Sequence, residues 1–589
     1  MPAPDAILNS LKSGHPRLLL NEAKIRELRE LVQHDATAKR LYADIKAGAD
    51  KSLKQEPTIY ELRDGRRLIY VSNKVLKRVQ NLAFMHLMTS EKRYAERAWL
   101  ELKTASEYKD WNPDHFLDTA ILTKAFAIGS DWLWDVWTPD QREILRRAIV
   151  VKGLQPAMKV YASGRGWAKG TNNWNQVCNG GIGMGALAVA DTDKELAGEI
   201  LHHAIKSIPI AMSAYAPDGA GYEGPGYWSF GSLYNIMLIS SLETALGTDF
   251  GLAKVEGFRQ SGDYPIYLSG AKRIGFDFGD ANPSATSAAQ HLWMGQRYGI
   301  PRYTWFRQEA LSDGKSGGLW DLIWLDGAAA KVPPGLMSAD KHFRNAEVVT
   351  MRDSWNDDSG FAIAMQGGDN AASHRHLDLG SFILEADGIR WILDSGKEKQ
   401  TYHKHRHGVG RNDFYRVRAE GHNTLVVNPD GSPDQDPRAK VAFTDFVSAK
   451  DHASVSIDLS AAHTKDAMSV NRSFRLDRGS AFTVSDRISC AKPSEIWSFF
   501  HTRAEMKLAE DGKSAILSDN GKTLRVMLTE PSAAVFRVLP AEPFPGSPNP
   551  SVQTPNNGLR KLAIQLEGVK ETRITVRFQR GEIDGKAKQ

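Results

Sequence analysis

The spacing of apolar residues in the first half of the chain predicts helices. Apolar positions recur every three to four residues with charged residues on the opposite face, which is the period of an amphipathic helix. The clearest helix start is at Thr138, a capping residue followed by Pro139 in the first turn and by Gln141 at the capping-box position. The segments with this pattern are 23–32, 37–49, 138–149, 194–213 and 232–246. Loops rich in Gly, Trp and Asn separate them, so we predict a toroid of helical hairpins with a groove on one side.

The second half of the chain alternates apolar and polar residues with a period of two, which is typical of half-buried β-strands. The alternating segments are FAIAMQ, SFILEA, IRWILD, NTLVVN, TLRVML and ITVRF. Turn signals such as Asp387-Gly388 and Asp511-Gly512 separate them. The pattern predicts antiparallel sheets stacked as a sandwich. We therefore expect a helical domain at residues 1–335 and a sheet domain at residues 336–589, with the boundary at KVPPG.

Length and composition agree with a folded protein of more than one domain. The chain has 589 residues, of which 41% are hydrophobic and 25% charged. A net charge of +5 over this length does not indicate nucleic acid, although a basic groove for an acidic polymer is compatible with it. The two cysteines, Cys178 and Cys490, define neither a disulfide framework nor a CxxC site.

The sequence begins without the apolar core of a signal peptide, and it contains no stretch of about 18 apolar residues. We therefore expect no membrane partner. The expected location is the periplasm or the outside of the cell, with a leader already removed, and a cytoplasmic location stays open. Monomer and homodimer also stay open.

The segment TNNWNQVCNGG, residues 171–181, is interpreted as a polar loop. Asn172, Asn173 and Asn175 could hydrogen-bond a carboxylate or a sugar hydroxyl without carrying charge, and Trp174 could contact the same ligand. The alternative is that these asparagines cap the next helix. The following GGIGMG has no preceding strand and the wrong glycine spacing for a dinucleotide loop.

The segment PDGAGYEGPGYWSFGSLY, residues 217–234, is interpreted as an irregular loop held by glycines. It offers three phenols, Tyr222, Tyr227 and Tyr234, any of which could transfer a proton if its pKa were lowered. Glu223 is a candidate for substrate binding in the same segment. The alternative is that the rings pack between helices.

The segment from Ser373 to Gly396 and the following GHNTLVV supply metal-ligand chemistry. His374 and His376 are two residues apart and would share one face of a strand. Asp394 follows the Asp387-Gly388 hairpin, so the return strand could bring it beside His376, and His422 begins another strand. Two histidines and one aspartate form a plausible Zn²⁺ site. The alternative is a surface histidine cluster that includes the loop 403–407.

Other catalytic signatures are missing from the sequence. It contains no GxSxG nucleophile elbow, no HExxH and no P-loop. A carboxylate pair for glycoside hydrolysis stays open, because such pairs have no fixed spacing in sequence.

Taken together and in this order, the three segments resemble the heparinase II/III-like superfamily of polysaccharide lyases. Three segments resemble the helical part of this superfamily: HPRLLLNEAKIRELREL, residues 108–137 and NNWNQVCNGG. Two segments resemble the sheet part: RHLDLGSFILEADGIRWILDSG and AEGHNTLVVN. The joint pattern of HxHxDxGxF, a later DSG and a later HNT is specific for this superfamily. The resemblance implies an incomplete (α/α) toroid followed by an antiparallel β-sandwich. It also implies β-elimination at a uronic acid.

The resemblance implies roles for residues of the helical part. Asn173 matches the asparagine that neutralises the substrate carboxylate. Trp174 stands where several relatives have a histidine base. This departure favours syn-elimination with Tyr227 as both base and acid, and it leaves Asn172, Trp174 and Asn175 as substrate contacts.

The resemblance also implies roles for residues of the sheet part. His374 would neutralise the carboxylate or serve as an alternative base. The metal ligands would be His376, Asp394 and His422, around a structural Zn²⁺ or another divalent ion, with no organic cofactor. Further implied residues are a second tyrosine, either Tyr402 or Tyr415, and the anion-binding arginines Arg375, Arg411 and Arg416.

The sequence therefore predicts a carbon–oxygen lyase acting on uronate-containing acidic polysaccharides, with glycosaminoglycans such as heparan sulfate, hyaluronan or chondroitin first and alginate second. The alternatives are a glycoside hydrolase on an (α/α) toroid and a carbohydrate-binding relative without catalysis. Formation of an unsaturated uronate separates the lyase from both.

Overall fold

The computed structural model describes residues 2–281, 283–284, 286–327, 337–355, 359–402 and 409–581. The chain divides into two units. The helical unit holds Met1–Gly219, Tyr227–Gly262 and Ser287–Val332, and the sheet unit holds Ala220–Gly226, Asp263–Thr286 and Pro333–Gln589. The predicted boundary at KVPPG and the histidine-rich loop 403–407 lie outside the described residues. Two short segments that precede the strands in sequence therefore belong to the sheet unit.

The helices follow the predicted apolar pattern closely. In the described part of the chain they are α1 (Pro4–Ile7), α2 (Glu22–His34), α3 (Ala36–Leu53), α4 (Ile69–Thr89), α5 (Lys92–Ser106), α6 (Phe116–Trp132), α7 (Pro139–Ala148), α8 (Gln155–Ser163), α9 (Asn173–Val189), α10 (Lys194–Met212), α11 (Pro225–Leu246), α12 (Asp263–Tyr267), α13 (Gln290–Tyr298), α14 (Pro301–Ser312) and α15 (Leu319–Trp324). The capping box at α7 is confirmed, with the Gln141 amide donating to the Thr138 hydroxyl at 3.3 Å.

Helix α9 corrects the interpretation of residues 171–181 as a loop. Asn172 is the N-cap and accepts a hydrogen bond from the backbone N–H of Trp174 at 3.2 Å, so the capping alternative holds for Asn172, whereas Asn173 and Asn175 lie inside the helix. The glycines that indicated a loop instead let helices approach closely. A side chain at Gly181 would collide with the backbone carbonyl of Ala120 in α6, which is buried along its whole length.

Helix α11 likewise corrects the interpretation of residues 217–234 as a loop throughout. The helix begins at Pro225, so Tyr227 and Tyr234 are helical, and the irregular part ends before them. Proline at the first helical position and the glycine-rich approach to it are both typical of a helix start.

The strands lie in antiparallel sheets. In the described residues they are β1 (Lys341–Phe343), β2 (Val348–Arg352), β3 (Ala362–Gln366), β4 (Gly368–Asp369), β5 (Phe382–Ala386), β6 (Ile389–Ile392), β7 (Leu425–Val427), β8 (Lys440–Val441), β9 (Phe443–Ser448), β10 (His452–Asp458), β11 (Ser469–Asp477), β12 (Ala481–Thr502), β13 (Glu505–Leu508), β14 (Ser514–Asp519), β15 (Lys522–Glu530), β16 (Phe536–Pro540) and β17 (Arg560–Arg580).

Two sheets face each other across one hydrophobic core. The smaller has the strand order β1-β2-β3-β5-β6, and the larger follows β13-β14-β15-β17-β12-β11-β10-β9, with β16 beside β17 and β7 beside β12. Phe382 of the smaller sheet contacts the rings of Phe474, Phe482 and Phe578 of the larger one, with centroids 5.5–5.9 Å apart. This is sandwich packing.

Phe276 and Phe278 cover part of the outer face of the smaller sheet. Phe276 and Phe278 pack against Ala364 and Ile383, which point away from the core between the sheets. This contact fixes the segment that ends at Asp280.

The predicted fold class, helices followed by antiparallel sheets, is confirmed. Among the described residues, no helix has both the length and the apolar character needed to cross a bilayer.

Candidate functional site

The β5–β6 hairpin brings Asp394 back to the histidines on either side of it in sequence. Asp387 and Gly388 both have positive φ, 56° and 72°, as a two-residue type I′ turn requires. Asp394 follows the return strand directly. Candidate ligand atoms of His376, Asp394 and His422 all lie within 4.8 Å of one another, and all three residues are buried. The predicted grouping of these residues is therefore present.

The chemistry of this group fits a divalent cation. Nδ1 of His376 and Nε2 of His422 are buried and have no hydrogen-bond partner in the described part of the chain. Both carboxylate oxygens of Asp378, two residues beyond His376, are buried without a partner as well. Unpaired buried polar atoms are costly, and a cation held by this group would compensate the two histidine nitrogens. Imidazole and carboxylate are ligands that Zn²⁺ accepts.

Asp394 and His422 form a buried pair. Nδ1 of His422 lies 2.7 Å from Oδ2 of Asp394, and the backbone N–H of Gly396 donates to Oδ1 at 2.8 Å. Burial alone would raise the pKa of the Asp394 carboxyl, but the charge and the hydrogen bond of His422 hold that pKa below its usual range. Nε2 of His422 is left as the metal-binding nitrogen.

His374 does not lie on a strand, which corrects the argument that it shares a strand face with His376. Its φ is +66°, a left-handed conformation that ends extended structure for a residue with a side chain. Both histidines nevertheless turn toward one carboxylate, that of Asp280. Non-glycine residues in this conformation are strained and often functional.

Asp280 is the residue that sequence reasoning missed. Its Oδ2 accepts from the Tyr402 hydroxyl at 2.6 Å and from Nη2 of Arg411 at 2.9 Å, and it lies 3.3 Å from Nδ1 of His374. Its Oδ1 lies 3.1 Å from Nε2 of His376. Burial alone would raise the pKa of this carboxyl, but the hydrogen bonds of the two histidines and the nearby positive charges hold it far below its usual range. The one signal in the sequence is an aspartate after a glycine, which is too common to single out.

Glu223 borders His374, and Lys397 borders Tyr402. Nε2 of His374 lies 3.4 Å from Oε1 of Glu223, a predicted substrate contact that belongs to the same unit. Nδ1 of His374 lies 2.9 Å from the Tyr402 hydroxyl, and Nζ of Lys397 is 4.0 Å from the Tyr402 ring centre. His374, Tyr402 and Glu223 are thus brought together.

Three other predicted residues of the sheet unit lie outside this cluster. Arg375 is buried and donates to the carbonyl of Ala346 at 2.8 Å. Arg416 donates to Oδ1 of Asn556 at 2.9 Å. Tyr415 is buried, and its hydroxyl is 2.8 Å from Nε2 of His501. Their side chains hold neighbouring chain segments, and a role for the arginines in substrate binding stays a prediction.

In the helical unit, Asn173 and Tyr227 lie in the first turns of α9 and α11. Gly231, one turn after Tyr227, faces the side chain of Gln176, one turn after Asn173. The two helix starts are therefore neighbours. Asn173 is buried and Tyr227 is half-buried. Burial raises the pKa of Tyr234, two turns beyond Tyr227 along α11, well above its usual value of 10, which disfavours it as a proton donor or acceptor.

Trp174 contacts a histidine that the sequence analysis did not select. The ring of His115 meets Trp174 edge-on with centroids 4.9 Å apart, and Nδ1 of His115 lies 3.1 Å from Oδ2 of Asp118. Asn175 is fully buried and donates to the Ser207 hydroxyl at 3.0 Å, so it braces α9 in this structure.

A helical unit combined with facing antiparallel sheets is the architecture of known polysaccharide lyases. A heparan sulfate lyase of Pedobacter heparinus aligns over 98% of this chain and 93% of its own, with a TM-score of 0.61 at 12% identity. A heparinase III structure aligns over 98% and 94%, with a TM-score of 0.64 at 12% identity. A chondroitin AC lyase of Streptomyces coelicolor A3 aligns over 96% and 83%, with a TM-score of 0.57 at 13% identity. At these identities the similarity defines the fold alone.

A family match covers most of the sheet unit. Residues 338–577 match the family described as Heparinase II/III-like, C-terminal, which confirms the resemblance found in the sequence. No curated protein matches the chain by sequence.

Proposed function

We propose that the protein is a lyase that cleaves uronate-containing acidic polysaccharides by β-elimination, with glycosaminoglycans as the first substrate class and alginate as the second. The observation that carries the proposal is the cluster of His374, Tyr402 and Arg411 around Asp280, within a sheet unit of the heparinase II/III-like family. The structural neighbours that act on heparan sulfate and chondroitin sulfate support the choice of glycosaminoglycans.

The reaction removes the hydrogen at C5 of the uronate and breaks the bond between C4 and the glycosidic oxygen. The electron pair of the C5–H bond forms the C4=C5 double bond, and the departing oxygen receives a proton. No water is consumed. The difficult step is proton removal next to a carboxylate, so the enzyme must stabilise the negative charge that develops on that carboxylate.

In the sheet unit, we assign His374 to neutralisation of the substrate carboxylate. A hydrogen bond to a charged group is shorter and stronger than a neutral one, and a histidine can supply it. Tyr402 supports His374 through their 2.9 Å contact. Arg411 lies in the same cluster and offers further guanidinium donors to a carboxylate or a sulfate.

In the helical unit, we assign Tyr227 to proton transfer and Asn173 to hydrogen bonding of the substrate carboxylate. Because Trp174 occupies the position of a histidine in several relatives, one tyrosine would remove the C5 proton and return a proton to the leaving oxygen. That assignment implies elimination on one face of the sugar ring. Asn172, Trp174, Asn175 and Glu223 stay predicted substrate contacts.

The group of His376, Asp394 and His422 would hold a Zn²⁺ or a similar divalent ion. The ion would fix the loops that carry these ligands, and no proton transfer is assigned to it. Because His374 is two residues from His376, a fixed His376 restrains the backbone of His374 as well.

The test is incubation of the protein with heparan sulfate, hyaluronan, chondroitin sulfate and alginate, with measurement of ultraviolet absorbance. We expect a rise with at least one polymer, because elimination creates a conjugated unsaturated uronate. New reducing ends without this absorbance would support a hydrolase. Binding without new ends would support a protein that binds carbohydrate but does not cleave it.

A further inference from the structure

Asp280 lies in a part of the chain that the family match does not include. The match begins at residue 338, whereas Asp280 closes the segment GFDFGD, residues 275–280. The segment nevertheless belongs to the sheet unit, where Phe276 and Phe278 anchor it on the outer face of the smaller sheet. Asp280 itself is 6% exposed, and its side chain is fully buried. A carboxylate in such a place needs partners that account for its charge.

Those partners are the groups on which the proposed chemistry depends. Oδ2 of Asp280 accepts hydrogen bonds from the Tyr402 hydroxyl and from Arg411, and it also contacts Nδ1 of His374. Oδ1 of Asp280 contacts Nε2 of His376. The backbone N–H of Asp280 also donates to the carbonyl of His374 at 3.0 Å. The aspartate therefore fixes both the main chain and the ring of His374.

The hydrogen-bond pattern determines which nitrogen each histidine has available. An ionised carboxylate only accepts, so Nε2 of His376 donates to Asp280 and Nδ1 is left as the lone pair for a metal. That Nδ1 is the buried atom without a partner in the described part of the protein. The Tyr402 hydroxyl donates its single proton to Asp280, so Nδ1 of His374 donates to the phenol oxygen. Nε2 of His374 takes no part in this hydrogen-bonded group.

We propose that Asp280 is a positioning residue that joins the metal ligand His376 to His374 and Tyr402, so that one carboxylate orients both the metal centre and the carboxylate-neutralising histidine. The part of this inference that concerns turnover rests on the proposed function. The part that concerns the metal does not.

The neighbouring Asp277 has a different role and gives a matched control. It lies three residues earlier in the same segment, and its carboxylate is 2.8 Å from Nη1 of Arg390. Arg390 in turn bonds Glu385 at 2.7 Å, so this pair attaches the segment to the β5–β6 hairpin. Asp277 contacts neither His374 nor His376 in the described structure.

The experiment compares Asp280→Asn with Asp277→Asn in the full chain. Asparagine keeps the size of aspartate and one acceptor oxygen but removes the charge. The first readout is the affinity for Zn²⁺, measured by competition with a chromogenic chelator without any polysaccharide. We expect Asp280→Asn to weaken Zn²⁺ binding by about 10–100-fold, the usual effect of removing a carboxylate behind a metal-bound histidine. Asp277→Asn should change it far less, because Asp277 senses the charge of Asp394 but contacts neither histidine.

The second readout is the separation of kcat from KM on the polymer selected by the absorbance assay. We expect Asp280→Asn to lower kcat by about 10–100-fold with a much smaller change in KM, because His374 is misoriented when the reaction charge develops. Tyr402→Phe should lower kcat without changing Zn²⁺ affinity, since it does not touch His376.

Asp280→Glu is the second variant if Asp280→Asn does not fold. It keeps the charge but displaces it by one methylene, so both readouts should again fall below wild type. Wild-type Zn²⁺ affinity in a folded Asp280 variant would overturn the inference, and so would a wild-type protein that binds no Zn²⁺. A wild-type protein that cleaves no uronate polymer would defeat the proposed function, while the Zn²⁺ comparison would still test Asp280.

Discussion

Nδ1 of His374 and the hydroxyl of Tyr402 lie 2.9 Å apart, in a hydrogen-bonded group that Asp280 completes. The other tyrosine considered from the sequence, Tyr415, is 1% exposed and contacts His501 instead. Burial raises the pKa of Tyr415 well above its ordinary value of 10. The contact with His374 therefore favours Tyr402 over Tyr415 as the tyrosine that would support the proposed reaction.

Substitution of the two tyrosines should separate turnover from stability. Tyr402→Phe removes a hydrogen bond to His374 and is expected to lower kcat by about tenfold, the value of one such bond. Tyr415→Phe leaves Nε2 of His501 buried without a partner and should cost about 1–3 kcal/mol of unfolding free energy with turnover intact. Steady-state kinetics and chemical unfolding check both. Loss of turnover in Tyr415→Phe alone would reverse the assignment.

Tyr227 is the residue whose loss should affect turnover most. Tyr227→Phe removes the proposed proton-transfer group and is expected to lower kcat by about 10²–10⁴-fold, the usual contribution of a general acid or base. The fold should be unchanged, as judged by circular dichroism and by the thermal unfolding midpoint.

The control for that variant is Tyr234→Phe, two helical turns along the same helix. Tyr234 is 2% exposed, and burial raises its pKa well above the usual value of 10, so its hydroxyl should take no part in proton transfer. Turnover should stay near wild type in Tyr234→Phe. Equal losses in the two variants would show that helix packing, and not proton transfer, explains the effect of Tyr227→Phe.

Zn²⁺ should stabilise the protein through the buried group of His376, Asp394 and His422. A ligand that binds only the folded state at 100 times its Kd adds about 2.7 kcal/mol to the unfolding free energy. Added Zn²⁺ should therefore raise the thermal unfolding midpoint, and a chelator should reverse the rise. Asp394→Asn should abolish the response.

A buried histidine outside the metal group provides the control for that measurement. His463 is 4% exposed and belongs to the same sheet unit, but it is not part of the group of candidate ligands. His463→Gln should keep the full Zn²⁺ response. If it lost the response while Asp394→Asn kept it, the proposed ligand set would be wrong.

Lys124 should make the stability of the helical unit depend on pH. It is 1% exposed in α6, with its ammonium 4.4 Å from the ring centre of Tyr234, and burial lowers its pKa from 10.5 to about 7. Between these values the unfolded chain binds more protons than the folded one, so the unfolding free energy rises with pH. Lys124→Met should remove this rise and stabilise the protein at pH 7 by on the order of a few kcal/mol.

Unfolding in denaturant at pH 7 and pH 10 measures this effect. The increase in unfolding free energy caused by Lys124→Met should become smaller toward pH 10, where Lys124 in the unfolded chain also begins to lose its proton. Lys39→Met, at an exposed position of α3, should change little at either pH. A Lys124→Met protein less stable than wild type at pH 7 would contradict the expected cost of the buried amine.

The sequence predicted those parts of the fold that depend on local periodicity. Amphipathic helices such as α2 and α10, the capping box at Thr138 and the Asp387-Gly388 turn are all present. Each depends on residues that are neighbours in the chain, where the period of the side chains and the preferences of single residues decide the structure. The metal group could also be predicted, because two of its three members flank one hairpin.

The predictions that failed concern contacts between distant segments. Residues 171–181 have the composition of a loop, but Gly180 faces α11 and Gly181 faces α6, which only the packed structure reveals. Asp280 is 94 residues from His374 and is placed by the contact of Phe276 and Phe278 with the smaller sheet. No local pattern carries that information, because the same aspartate in another packing arrangement would face solvent.

The masses of the products distinguish elimination from hydrolysis. A defined oligosaccharide of the polymer that the protein cleaves is digested, and the masses of both products are measured by mass spectrometry. If the bond is broken by elimination, the two masses add up to that of the substrate, with the double bond on the product that carries the new non-reducing end. A combined mass greater by one water, with no unsaturated product, would contradict it and identify a hydrolase.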